Sequence, residues 1–160
     1  MNLRTILLPA LLVATACAGG PQSSSGGGVS TVPGRAAVTI AIVPNPIVAQ
    51  RVSGDSYDFP FEVVVRETGG QPVEITRITA DVRALGSIPV ATESYDAAEI
   101  RSLGFATTVP ANGELRYRFT PRKSVPDDRL FGGVSAELRV EARDASGASV
   151  TASTTVSVTR

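Results

Sequence analysis

An all-β fold, an antiparallel β-sandwich of about seven strands with one short crossover helix, is what the sequence predicts. Three observations predict it. From Ala36 onward apolar residues alternate with polar ones at period two, the mark of strands with one buried face. The alternating stretches are separated by turn residues, and no long stretch shows helical amphipathic spacing.

Val38, Ile40 and Ile42 share one side of the first strand, which Pro44-Asn45-Pro46 breaks. Gln50 to Ser56 is polar and carries Gly54, so it reads as a loop. In the second main strand Phe59, Phe61, Val63 and Val65 point one way, and Glu62 and Arg66 the other. Gly69-Gly70-Gln71-Pro72 then reads as a tight hairpin turn into a third strand. There the parity slips: Val73 and Ile75 are odd, whereas Ile78, Ala80, Val82 and Ala84 are even. A bulge near Thr76-Arg77, or a bend towards a second sheet, accounts for the slip. Ile88 to Ala91 reads as a short edge strand that Pro89 blunts against pairing.

Asp96 to Gly104 breaks the period. Asp96 can cap, Glu99 stands three residues on, Ile100 and Leu103 share a helical face, and Gly104 suits the stop. Two turns are too short to persist alone, so packing of Ile100 and Leu103 is expected to hold a helix that crosses between sheets. Phe105 to Val109 is extended, Pro110-Ala111-Asn112-Gly113 turns, and Leu115, Tyr117 and Phe119 alternate with Arg116 and Arg118. Pro121 to Asp128 reads as a polar loop. Val134 to Ala142, the turn Asp144-Ala145-Ser146-Gly147, and Val150 to Val158 form a long hairpin with one dry face. Its register predicts Val140 and Val156 buried, Arg139 and Glu141 exposed.

Ahead of this domain, expected over residues 36–160, the chain reads differently. Asn2 and Arg4 begin a leader whose apolar run, Ile6 to Val13, is too short to span a bilayer and ends in Ala14-Thr15-Ala16. Residues 1–16 therefore read as a signal peptide. Cys17, the only cysteine, follows at once, and residues 18–34 are rich in Gly, Ser and Pro. With Cys17 they read as a tether over residues 17–35, lacking regular structure, whose ends lie roughly 20–25 Å apart as a coil and about 60 Å when drawn straight.

The leader and Cys17 resemble the signal of bacterial lipoproteins, in which the cysteine becomes the first mature residue and carries a diacylglycerol. That resemblance implies lipid attachment at Cys17 and, since Ala18 stands where a retaining Asp would, the outer membrane, with the periplasmic or surface face open. One departure is Ala14 in place of the usual Leu. Ala14-Thr15-Ala16 also fits ordinary cleavage, which would release a soluble periplasmic binding protein with a free thiol. The region from Ala36 onward, through segments such as VPANGELRYRF and ARDASGASVTAS, resembles immunoglobulin-like or fibronectin-type-III-like domains of bacterial envelopes. The Cys…Trp…Cys framework of true immunoglobulin domains is missing.

Composition narrows function. Cleavage ahead of Cys17 leaves 144 of the 160 residues, with 14 basic side chains against 15 acidic ones. Such a balance gives no electrostatic footprint for nucleic acid. Every basic residue but Lys123 is arginine, which reads as base composition of the gene and not as a binding code. Without histidine, Ser-His-Asp and Cys-His catalysis and His-ligated metals are ruled out. Asp55/Asp58, Glu93/Asp96/Glu99 and Asp127/Asp128 are carboxylate groupings that a hard cation or a two-carboxylate hydrolase could use. Their spacing is not that of a dedicated calcium loop, so solvated turn residues are the plainer reading.

Arg116, Arg118, Arg122 and Lys123 surround Tyr117 as the densest basic cluster, a patch for a sugar acid or an acidic partner. The plainer reading puts Tyr117 in the core and the arginines in water opposite Glu137 and Glu141. No catalytic, cofactor or metal residues are nominated, and no small-molecule substrate is evident. The expectation is a non-enzymatic lipoprotein anchored in the membrane, binding an envelope protein through loops or an exposed sheet edge.

Overall fold

The computed structural model describes residues 34–85 and 88–160. The expected signal peptide, Cys17 and the expected tether up to residue 33 lie outside the described residues. Strand β1 (Val38–Val43) is followed by β2 (Ile47–Val48), β3 (Gln50–Ser53), β4 (Ser56–Asp58), β5 (Phe61–Glu67), β6 (Val73–Ala84) and β7 (Ile88–Asp96). Helix α1 (Ala97–Ser102) precedes β8 (Thr108–Val109), β9 (Glu114–Phe119), β10 (Arg122–Ser124), a 3-10 turn (Asp128–Phe131), β11 (Ser135–Asp144) and β12 (Ser149–Thr159).

The chain is an antiparallel β-sandwich of immunoglobulin-like type. A three-stranded sheet, β1-β5-β9, packs on a six-stranded one, β2-β12-β11-β6-β7, with β8 beside β6. The period-two pattern explains the packing, because each strand turns its apolar residues inward. Val38, Ile42, Val63, Val65 and Tyr117 from the smaller sheet meet Val73, Ile75, Ile78, Leu138, Val140 and Val156 from the larger in one core cluster. Burying a side chain such as Val140 contributes about 1.5–3 kcal/mol. The hairpin register is as predicted: Val140 and Val156 are buried, and Arg139 and Glu141 face solvent. The bulge is also where parity slips, since Glu141 pairs with Arg77 but Ala142 pairs with Ile75, leaving Thr76 over. One pairing departs from the antiparallel rule, β2 lying parallel to the end of β12.

Four of the loop and strand expectations need correction. Gly69-Gly70-Gln71-Pro72 is no hairpin: β5 pairs with β1 and β9, whereas β6 belongs to the other sheet, so the turn is an arch between layers. Its cause is Glu67, a buried carboxylate that accepts the N–H groups of Gly69 (2.7 Å) and Gly70 (2.9 Å) and bends the chain off the ladder. Gln50 to Ser56 and Pro121 to Asp128 are not plain loops. Their strands β3, β4 and β10 form a small third sheet, in which polar side chains hid the pattern. The edge strand β7 runs nine residues, not four.

The helix is capped as expected: Asp96 accepts from Ala98 and Glu99, and the Glu99 carboxylate returns to the Asp96 N–H at 2.8 Å. Ile100 is buried, but Leu103 is 54% exposed, because the helix ends at Ser102 and Leu103 already turns away. Nor does α1 itself make the crossing. β8, after it, still pairs with β6, and only β9 reaches the smaller sheet.

Candidate apolar binding site

At the pole of the sandwich away from Glu67, the two layers part around an apolar cavity of about 460 Å³ that is partly open to solvent. Its floor is the inner face of β6 and β11, where Ala80, Ala84 and Ala136 present only methyl groups. Its walls include Phe59, Phe61 and Phe131, with Phe59 and Phe131 ring centroids 6.3 Å apart. The segment from Pro121 to Leu130 passes over as a roof.

Hydrogen bonds hold that roof to the small third sheet and its neighbours. Arg122 reaches Asp58 through two donors, at 2.7 and 2.9 Å. Ser124 donates to Asp55 at 2.6 Å, and the Val125 N–H to the Asp55 carbonyl at 2.7 Å. The Tyr57 hydroxyl donates to Asp128 at 2.6 Å, and Phe131 meets the Tyr57 ring edge-on at 5.1 Å. Arg160 also contacts Asp128. The Arg122 hydrogen bonds hold the Asp58 carboxyl below its ordinary pKa, against a smaller upward push from burial.

Lys123 and Glu93 line the mouth, with Nζ 3.0 Å from Oε1. Glu93 accepts a second hydrogen bond from the Tyr95 hydroxyl at 2.9 Å. Those two donors, Lys123 first, lower the Glu93 pKa. The same bond to Glu93 raises that of Tyr95. The mouth therefore carries a cation and an anion that cancel.

The basic cluster nominated from sequence does not assemble. Tyr117 is buried, and its hydroxyl donates to the Ala106 carbonyl at 2.7 Å. Arg116 and Arg118 stand on the outer face of β9, but their partners are not Glu137 and Glu141, which lie on β11 in the other sheet. They bridge to Glu62 on β5 at 2.8 and 3.0 Å, and Arg116 also to Glu114 at 2.7 Å. Strand order, which alternation cannot reveal, decided this.

The carboxylates likewise have separate partners. Asp55 and Asp58 pin the roof, Glu93 holds Lys123, Asp96 and Glu99 cap α1, Asp127 caps the 3-10 turn, and Asp128 meets Tyr57. Among the described residues no group of three His, Cys, Asp or Glu side chains could hold a metal ion.

Sequence reasoning missed the cavity. Its only signal was alanine at the inward positions 80, 84 and 136, which alternation counts as core without weighing their size.

Comparison with known proteins adds fold alone. A structural-genomics target structure superposes with a TM-score of 0.51 at 11% identity, over 79% of this chain and 89% of that one. A Bordetella pertussis structure described as an ApaA protein gives 0.48 at 10% identity, over 80% and 97%. The CARDB domain of a Pyrococcus furiosus protein gives 0.33 at 15% identity, over 78% and 94%. At 11% identity the first of these shows a likeness of fold and nothing more. No protein-family profile and no curated protein sequence matches the chain.

Proposed function

We propose that this chain is an envelope lipoprotein, held by lipid on Cys17, whose β-sandwich works without catalysis as a protein-binding or accessory module. The leader, the small-residue box before Cys17 and the Gly/Ser/Pro stretch support the anchor. One acyl chain holds only marginally and two or more hold stably, so a diacylated cysteine suffices.

The observation that carries the binding role is strand β7. It pairs with β6 on one side, no strand pairs with its other side among the described residues, and every residue but Tyr95 is exposed. Ile88 and Val90 add apolar side chains, 53% and 56% exposed. An extended segment of an envelope protein can add to such an edge through main-chain hydrogen bonds, with side chains supplying selectivity.

Two experiments test the two halves. Membrane fractionation should find the wild type with membranes and Cys17→Ala in the soluble fraction; equal distribution refutes the anchor and favours the soluble periplasmic alternative. A photo-crosslinking residue at position 90 should capture a discrete protein in cells, one at position 153 on the outer face of β12 should not, and Ile88→Lys should abolish the adduct. Equal capture at both positions refutes the edge.

A further inference from the structure

We propose that the cavity beneath the Pro121–Leu130 roof binds one hydrocarbon chain of an uncharged amphiphile of the monoacylglycerol class. This goes beyond the protein-binding reading and stands without it.

The pocket, about 460 Å³ and partly open to solvent, falls within the range of small-ligand sites, roughly 300–1,000 Å³. It persists for two structural reasons. Three floor positions, Ala80, Ala84 and Ala136, carry only methyl groups beside Val82 and Leu138, and the roof is tied in place by Arg122–Asp58, Ser124–Asp55 and Tyr57–Asp128. Only Glu93, Lys123 and Ser124 among the lining residues are polar, and the first two stand paired at the mouth. An apolar cavity offers water no hydrogen-bond partners and takes up apolar molecules instead.

The mouth selects the head. A carboxylate would have to take Lys123 from Glu93 and then face the Glu93 charge, and a cation would meet Lys123. A head bearing hydroxyls finds a donor in Lys123 and an acceptor in Glu93 without breaking the pair.

Calorimetric titration of the full chain with a homologous series of monoacylglycerols, each below its critical micelle concentration, tests the site. One ligand should bind per chain. Affinity should rise about fourfold for each added methylene, the equivalent of about 0.8 kcal/mol, and level off when the cavity is full. Ala80→Phe, which fills the space from the floor, should weaken binding at least tenfold with Tm unchanged or raised; Ala84→Leu serves if that variant does not fold. The fatty acid of equal chain length should bind more weakly than the neutral ester. The proposal is overturned if the wild type shows no saturable binding, if a folded filled variant binds as tightly, or if the carboxylate binds better.

Discussion

The carboxylate of Glu67 accepts the backbone N–H of Asn112 at 2.9 Å, joining positions 45 residues apart. The same side chain takes the N–H groups of Ala37 (3.2 Å), Gly69 and Gly70, so one buried group closes the entry to β1, the arch between the sheets and the turn before β9. Burial presses this carboxyl towards its neutral form, and the four donors outweigh it, leaving its pKa below the ordinary 4.5.

Glu67→Gln keeps one oxygen and turns an amide N–H₂ towards two N–H donors. Unsatisfied buried donors cost about 1–3 kcal/mol each, so a loss of about 3–5 kcal/mol is expected in urea unfolding at neutral pH. A depressed carboxylate pKa contributes stability that is complete above the unfolded value and is lost as pH falls through the folded one. The gap between wild type and Glu67→Gln should therefore hold at neutral pH and narrow below about pH 4.5. A gap independent of pH would contradict the role of the charge.

Gly69→Ala tests the arch from the backbone side. A Cβ there would lie 1.9 Å from the Arg35 carbonyl oxygen and 2.8 Å from the Ala37 nitrogen, both main-chain atoms that cannot rotate away. A loss of about 2–3 kcal/mol is expected. Gly147→Ala meets open space and bears only the strain of φ +85°, about 1–2 kcal/mol. Thermal denaturation should rank the two in that order.

Tyr117→Phe removes the donor to the Ala106 carbonyl and should cost about 1–2 kcal/mol. Burial, then the Glu74 charge, raises the Tyr117 pKa well above 10.0. A raised value contributes stability that is complete below the unfolded pKa and lost as pH rises through the folded one. Stability should therefore decline above about pH 10. Ultraviolet titration should show Tyr117 ionising only as the chain unfolds, seen as the difference between wild type and Tyr117→Phe.

Neighbouring residues of β11 should behave oppositely. Val140→Ala should cost about 1.5–3 kcal/mol, and Arg139→Ala should stay within about 0.5 kcal/mol. Comparable losses would mean that the register of β11 is shifted by one.

The sequence disclosed whatever depends on local alternation or local capping. The β11–β12 hairpin, the bulge at Thr76 and the Asp96–Glu99 box are all of this kind. It concealed whatever depends on which strands become neighbours. Glu67 occupies an ordinary period-two position at the end of β5, and nothing local says that its carboxylate will be enclosed by backbone from three other places. The third sheet was hidden because Arg122, Lys123 and Ser124 are polar and exposed on β10, so no dry face marks it. The cavity was hidden because alanine and leucine score alike as apolar while differing in volume.

The poles of the sandwich carry a mechanical consequence. The chain enters β1 beside Glu67, where Val38 pairs with that residue, and leaves β12 at Thr159, beside Val48 at the cavity end. Tension between residue 36 and Arg160 therefore runs along the strands and loads their ladders in shear, many hydrogen bonds at once. A fold held at one end and tugged at the other resists as a rope does and not as a zipper.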